Sequence, residues 1–433
     1  MSRTPRLCLL AIFGLLLLGG NACAERLSPL APKPNWSSLE AYQKTITRAE
    51  FTRLINQVYT PDGGFWDFAK IDDDKVIVYS DPAKTEPLFT LHFAPNDDAC
   101  APLPYAYKTQ AVSNDPTRPL KGIKIALDPG HIGGDWAKLE ARYFKLGDDP
   151  PVEEATLTMI TCQRLAERLE ADGADIIWAK HGYEPTTDLR PEDLHREAIA
   201  ALALSGSRAS AYTPSYLFGI EMPRLSKYRN DQTATETRID NEAALLFYRV
   251  AEIRARGDLV NKQRPDLTIC VHYNADDWGD PDHPTLTGKS HLVIFTNGAY
   301  ERKSELIFDD YKYDLLRKLL DRTAVQEERG CALVGQEMLD TFKYPPEDYV
   351  GYFAHHVTDV PSVYARDLLA NRIYHGPVIY CEGPYMNASD AYYRIIAGDY
   401  LGMRVIQGQS YPSIYRDYAA SVERGVLKYF GVK

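Results

Sequence analysis

The chain has 433 residues, of which 45% are hydrophobic, and this length predicts one large domain plus a smaller one. Its 49 basic and 60 acidic residues give a formal net charge of -11. This acidity argues against nucleic-acid binding and against docking on anionic membrane surfaces, but it does not specify a substrate.

Residues 1–24 have the pattern of a signal peptide. Arg3 and Arg6 precede an apolar run from Leu7 to Leu18, and Ala22-Cys23-Ala24 supplies small residues for cleavage after Ala24. We therefore expect an exported protein of the periplasm or cell envelope. The alternative is a lipid anchor on Cys23, although the residues just before it are scarcely apolar. No later stretch approaches the roughly 18 apolar residues of a spanning helix, so we expect no membrane span in the mature chain.

The cysteines of the mature chain are odd in number and lack Cys-x-x-Cys spacing. They are Cys100, Cys162, Cys270, Cys331 and Cys381. We expect buried free thiols rather than a disulfide framework. Cys270 and Cys381 each lie in an apolar strand just before a candidate site residue, so a disulfide between them is the alternative in an oxidising compartment.

Residues 25–118 have the pattern of a small α+β domain. Thr47 with Glu50 forms a capping pattern that predicts a helix start. The segments FWDFAKI, KVIVYS and LFTLHFA then follow as short predicted strands between polar turns. A proline-containing stretch from Pro95 to Lys121 separates them from the remainder, so we place the domain boundary near residue 118.

Residues 119–433 alternate strands with helices, which is typical of an α/β fold with a twisted mixed sheet flanked by helices. The predicted strands are KIALD, DIIWAK, LTICV, HLVIF and PVIYC. A long helix is expected from about Glu153 to Glu170.

Three of these strands end in a reactive side chain. The three are His131 after Asp128-Pro129-Gly130, His272 after LTICV, and Glu382 after PVIYC. Ligands of open α/β sheets bind at the carboxyl ends of strands, so we expect these side chains to converge on one crevice. Two imidazoles and one carboxylate would give zinc three ligands and leave a fourth position open for water. The residues alone leave Glu153, Glu154 and Glu382 as competing candidates for ligand and proton carrier.

The chain resembles the zinc-dependent N-acetylmuramoyl-L-alanine amidases of the type that begins with an Asp-Pro-Gly-His strand end. The resemblance covers about residues 121–433, apart from one insertion. Its motifs are Asp128-Pro129-Gly130-His131, Glu154-Ala155-Thr156-Leu157-Thr158, His272-Tyr273-Asn274-Ala275 and Glu382-Gly383-Pro384-Tyr385-Met386-Asn387. Each motif alone is weak, whereas four in order form a specific signal.

The resemblance implies that His131, Glu154 and His272 bind Zn2+ and that Glu382 is the catalytic carboxylate. The helix register favours Glu154, which leaves Glu153 as a solvated neighbour. The implied reaction is hydrolysis of the amide between the lactyl group of N-acetylmuramic acid and L-alanine, with peptidoglycan as the macromolecular partner. The alternatives are a non-catalytic cell-wall-binding or regulatory relative and a zinc peptidase acting on another amide.

Asp128 and Asn274 are candidates for accepting the second ring proton of a metal-binding imidazole, and turn capping is their alternative role. His355 and His356 are adjacent, so their side chains diverge in a regular element and we assign them no metal role. The loop after His131 departs from the family pattern by carrying an extra residue, Ile132.

A larger departure is an insertion from about residue 186 to 240, with a predicted helix and an aromatic stretch from Tyr212 to Tyr228. One hypothesis is an autoinhibitory lid, and the alternative is a surface elaboration that never meets the metal. The candidate blocking carboxylates are Glu192, Glu197, Glu221 and Glu236.

No motif specifies the role of residues 25–118. Trp36, Phe65 and Trp66 lie beside predicted turns, which motivates the hypothesis that this domain binds the cell wall, an activator or another partner. The alternative is that these aromatic side chains belong to its core.

Overall fold

A computed structural model describes residues 26–206, 231–280, 283–302, 304–349 and 353–432. In the first part of the chain the helices and strands are α1 (Arg48–Leu54), β1 (Ala69–Ile71), β2 (Lys75–Tyr79), β3 (Pro87–His92), β4 (Lys124–Pro129), α2 (Asp135–Leu139), β5 (Tyr143–Phe144), β6 (Val152–Glu153), α3 (Glu154–Ala171), β7 (Asp175–Trp178), α4 (His195–Gly206) and α5 (Asp231–Leu246). They continue with α6 (Glu252–Gln263), β8 (Leu267–Tyr273), β9 (Val293–Thr296), α7 (Asp309–Leu320), α8 (Thr323–Phe342), β10 (His355–His356), β11 (Val363–Ala365), α9 (Leu369–Ile373), β12 (Val378–Gly383), α10 (Ser389–Ile396), β13 (Arg404–Ile406), β14 (Gln409–Tyr411) and α11 (Ile414–Tyr429). Within these ranges, no helix combines the length and apolar character needed to cross a membrane.

Within the described residues, the large sheet has seven strands in the order β10-β11-β9-β12-β8-β4-β7. Strands β12, β8, β4 and β7 run parallel, whereas β9 runs antiparallel to β12. Every residue of β8 is buried, as expected for a central parallel strand covered on both faces. The predicted α/β fold with a mixed sheet flanked by helices is therefore confirmed.

Helices cover both faces of this sheet. On one face, α3, α8 and α11 contribute to a cluster that includes Leu165, Val334 and Val422. On the other face, Val260 of α6 and Ala370 of α9 pack against the sheet. Cys381 lies in the first cluster and Cys270 in the second. The two thiols therefore point to opposite faces, which rules out the alternative of a disulfide between them, and both are free.

Strands β1, β2 and β3 form a small antiparallel sheet beside α1. Thr47 caps α1 as predicted, because its Oγ1 accepts a hydrogen bond from the Glu50 N–H at 3.3 Å. The core of this unit also contains buried side chains of α7, so residues on both sides of the predicted boundary share one hydrophobic cluster. The division at residue 118 stays a prediction.

The three aromatic residues behind the wall-binding hypothesis belong to this small core. Phe65 is fully buried, and Trp36 and Trp66 pack against the same cluster. The Trp36 ring also contacts Tyr313 of α7 edge to face, with centroids 5.5 Å apart. Phe65 is therefore a core residue, whereas Trp36 and Trp66 are partly exposed, and the wall-binding hypothesis stays a prediction.

The described part of the insertion forms α4 and α5, which pack against the loop after β4. Ile132, the extra residue of that loop, is fully buried in one hydrophobic cluster with Leu194, Ala198 and Leu246. Trp136 of α2 packs beside the same cluster. The aromatic stretch from residue 212 to 228 lies outside the described residues.

Candidate metal centre

Strands β4, β8 and β12 are neighbours in the sheet and run parallel, so their carboxyl ends lie at one edge. His272 of β8 and Glu382 of β12 are register partners, which places their side chains on the same face of the sheet. His131 follows the end of β4, and its ring meets the His272 ring edge to face with centroids 5.1 Å apart. The predicted convergence is thus present in the structure.

His131, Glu154 and His272 form a group whose ligand atoms all lie within 4.8 Å of one another. Glu154 Oε2 lies 3.2 Å from His131 Nε2, and Glu154 Oε1 lies 3.2 Å from His272 Nδ1. Glu154 is only 2% exposed and begins α3. Two imidazole nitrogens and one carboxylate fit a zinc-type site, because each can point a lone pair at a shared ion.

Gly130 provides the space in which the two imidazoles meet. A Cβ at this position would overlap the ring of His272. The next residue, His131, adopts a left-handed backbone conformation with φ 62°. Such a conformation is unfavourable for a non-glycine residue and must be held by its surroundings. The Asp-Pro-Gly-His motif therefore forms a tight strand end that brings the edge of one imidazole against the face of the other.

Glu140 binds the far side of the His131 ring. Its Oε2 lies 2.7 Å from His131 Nδ1, and the residue is only 4% exposed. An ionised carboxylate can only accept, so Nδ1 carries a proton, and loss of the proton on Nε2 would free that nitrogen's lone pair for a metal ion. Burial lowers the pKa of His131, but the charges of Glu154 and Glu140 outweigh burial and raise it to about 9.

Asp128 and Asn274, the predicted acceptors of the second ring proton of a metal-binding imidazole, bind other groups. Asp128 accepts hydrogen bonds from Arg256 at 3.0 Å and from the Tyr374 hydroxyl at 2.7 Å. Asn274 Oδ1 accepts from the Ala275 N–H at 2.8 Å, which is turn capping. Sequence reasoning missed Glu140 because it belongs to no strand end and no motif of the resemblance.

Arg256 holds the backbone of the loop that carries His131. Its guanidinium donates to Pro129 O and to His131 O, each at 3.0 Å, besides its bond to Asp128. The Lys180 ammonium also donates to His131 O. Glu252 accepts from Arg256 Nε at 2.7 Å. These hydrogen bonds hold the backbone of His131 in its left-handed conformation.

Glu382 is a further acidic residue beside these side chains and is not part of the metal group. Burial raises the pKa of its carboxyl, and the charge of Glu154 adds to that rise, whereas the charges of His272 and Arg142 oppose it. A buried carboxyl group with a raised pKa holds a proton more readily than an ordinary glutamate does.

Arg142 lies beside Glu154 on the open side of the group. Its Nε is 3.2 Å from Glu154 Oε2, and its carbonyl oxygen accepts from the Glu154 N–H at 3.2 Å. Although burial acts in the opposite direction, the charges of His131 and Arg142 help to hold the pKa of Glu154 well below its usual range. No sequence pattern identified Arg142.

Solved structures with similarity to this chain include three bacterial enzymes. An enzyme from Mycobacterium smegmatis is 12% identical, with a TM-score of 0.38, and the match covers 72% of this chain and 98% of that chain. An enzyme from Clostridioides difficile, solved with the GerS lipoprotein, is 12% identical, with a TM-score of 0.37. The match covers 72% of this chain and 100% of that chain. A Nostoc punctiforme enzyme is 13% identical, with a TM-score of 0.35. The match covers 72% of this chain and 99% of that chain.

The Mycobacterium smegmatis and Nostoc punctiforme enzymes are N-acetylmuramoyl-L-alanine amidases by name, and the Clostridioides difficile enzyme is named an amidase. No protein-family model and no curated protein matched the chain.

Glu153, the competing ligand candidate, lies outside the metal group. Its Oε2 accepts weakly from the Gly134 N–H and the Thr156 hydroxyl, each at 3.4 Å. His355 Nε2 lies 3.0 Å from Gln57 O, and His356 Nδ1 lies 3.1 Å from Val363 O.

Three of the four candidate blocking carboxylates are described, and none joins the metal group. Glu192 and Glu236 are exposed, and Glu197 pairs with Arg196 at 3.1 Å. Glu221 lies outside the described residues. The lid hypothesis therefore stays a prediction that concerns Glu221 and its neighbours.

Proposed function

We propose that this chain is an exported, zinc-dependent N-acetylmuramoyl-L-alanine amidase. It hydrolyses the amide between the lactyl group of N-acetylmuramic acid and L-alanine in peptidoglycan. The observation that carries the proposal is the group formed by His131, Glu154 and His272, with Glu382 separate from it on the same sheet face. The choice of bond rests on the four ordered motifs that contain these residues.

A zinc ion held by His131, Glu154 and His272 would supply Lewis acidity that polarises the carbonyl group and makes water acidic near pH ~7. Glu382 accepts a proton from the attacking water. It then donates that proton to the alanine nitrogen as the C–N bond breaks. The products are a glycan strand with a free lactyl carboxyl group and a peptide with a free N-terminal alanine.

The surrounding residues prepare this chemistry before substrate arrives. Glu140 fixes the tautomer and orientation of the His131 ring. Gly130 leaves room for the His272 ring, and Arg256 holds the backbone of the loop that carries His131. Such preorganisation avoids the cost of arranging ligands and proton carrier during each turnover.

The test is mass spectrometry of purified peptidoglycan after incubation with the zinc-loaded protein, beside a Glu382→Gln control. We expect free stem peptides that begin with alanine, and we expect none from the control. Fragments cut inside the stem peptide would instead identify a peptidase. Retention on the wall without cleavage would identify a binding protein.

A further inference from the structure

We propose that Arg142 binds the carbonyl oxygen of the scissile amide and stabilises the negative charge that develops on it. This inference rests on the proposed amidase function and names one more residue that touches the substrate.

The backbone places Arg142 firmly at the metal group. Its N–H donates to Ala137 O at 2.8 Å, and its carbonyl accepts from Glu154, so the residue is fixed at both backbone groups. Strands β5 and β6 form an antiparallel pair in which Tyr143 faces Glu153. Arg142 and Glu154 are the next residues on each side, so this short hairpin fixes the cation next to the metal ligand.

The Arg142 side chain retains unused hydrogen-bonding capacity. Its ion pair with Glu154 involves Nε, and 28% of the side chain is exposed. Within the described residues, neither Nη group donates a hydrogen bond to the protein. By contrast, Arg256 uses its Nε and both of its Nη groups in hydrogen bonds to the protein. A guanidinium carries five donors, so Arg142 can bind Glu154 and still offer N–H groups to a ligand.

The position of Arg142 suits the charge that hydrolysis creates. Its Nε lies 3.2 Å from Glu154 Oε2, so the guanidinium lies next to the metal group where the carbonyl group would be polarised. When the water oxygen bonds to the carbonyl carbon, the C=O π electrons move to the carbonyl oxygen, which becomes an anion. They return to re-form C=O as the C–N bond breaks, and nitrogen takes its proton from Glu382. Arg142 donates hydrogen bonds throughout and transfers no proton.

A purely structural role is the competing explanation, in which Arg142 only holds Glu154 in place. That role would change metal binding, whereas the proposed role would change turnover. The variants Arg142→Gln and Arg142→Lys separate the two, with Arg196→Gln as a matched control because Arg196 is an exposed cation on α4. The measurements are zinc affinity by chelator competition, kcat and KM on a defined muropeptide, and binding of a phosphinate analogue that mimics the tetrahedral anion.

We expect Arg142→Gln to lower kcat by roughly 10²- to 10³-fold at saturating zinc, as loss of one oxyanion donor does in other hydrolases. Phosphinate binding should weaken, zinc affinity should stay at the wild-type value, and Arg142→Lys should recover part of kcat. Weakened zinc affinity with wild-type kcat at saturating zinc would overturn the inference. An inactive wild-type protein would instead count against the proposed function itself.

Discussion

Glu140 is the residue that most affects how His131 can bind a metal ion. Its carboxylate lies 2.7 Å from Nδ1 of the imidazole and is itself shielded from water. The contact leaves only Nε2 to supply a lone pair to a metal ion. The orientation of one metal ligand therefore depends on a carboxylate that does not itself bind the metal.

We predict that Glu140→Gln weakens zinc binding by roughly 10- to 100-fold, which is typical for loss of a carboxylate behind a metal-bound imidazole. Chelator competition measures the affinity. The matched control is Glu153→Gln, because Glu153 lies outside the metal group and should leave the affinity unchanged. Equal losses in both variants would refute the assigned role of Glu140 and the preference for Glu154 as ligand.

A second prediction about a single residue concerns Gly130. Because a methyl group at residue 130 would overlap the His272 ring, Gly130→Ala should displace a metal ligand and lower zinc affinity. Gly288→Ala is the control, since a Cβ there would meet no neighbouring atom within 4 Å. The same chelator assay applies, and wild-type zinc affinity in Gly130→Ala would contradict the described approach of the two imidazoles.

At the scale of elements, α6 links the metal loop to the insertion. Arg256 binds the backbone of Pro129 and His131, and its partner Glu252 accepts from Thr186 and Thr187 at 2.7 and 3.0 Å. The first residues of the insertion are thus tied, through one buried ion pair, to the strand end that carries a metal ligand.

We predict that Arg256→Gln lowers the free energy of unfolding by about 3–5 kcal/mol, because Asp128 and Glu252 would remain buried without their cation. Urea unfolding of the metal-free protein measures this loss. The control, Lys262→Gln, removes an exposed cation from the same helix and should unfold like the wild type. A stability loss below 1 kcal/mol, about that of a surface ion pair, would show that this network contributes little.

Sequence patterns predicted the strand ends well and the connecting loop poorly. His131, His272 and Glu382 follow apolar runs whose parallel arrangement dictates where they meet. Glu140 and Arg142 instead depend on α2 and on the left-handed Ala141 between them, with φ 54°. Trp136 of α2 packs against Phe247, with ring centroids 5.0 Å apart, and no local periodicity of the sequence predicts such a contact.

At the scale of the whole molecule, the small N-terminal sheet and α7 bury one another. Leu315, Leu316 and Leu319 of α7 are fully buried in the cluster that also contains Phe51 and Val76. The short predicted strands and the proline-containing stretch predict a boundary near residue 118, but sequence patterns report local elements and not which distant helix shares their core.

We predict that residues 119–433 alone do not fold cooperatively, because removal of the N-terminal unit exposes the leucines of α7 to water. Calorimetry and size-exclusion chromatography of this fragment and the longer chain provide the comparison. A monomeric fragment with a sharp unfolding transition would support the boundary near residue 118 as a true domain division.

The central claim is that the group around His131, Glu154 and His272 directs water to the lactyl carbonyl of the amide. The most direct measurement is hydrolysis of a defined muropeptide in water enriched in heavy oxygen, followed by mass spectrometry of both products. The account predicts the label in the lactyl carboxyl group of the sugar product and none in the released peptide. Label at a peptide carboxyl terminus, or no hydrolysis by the zinc-loaded protein, would contradict it.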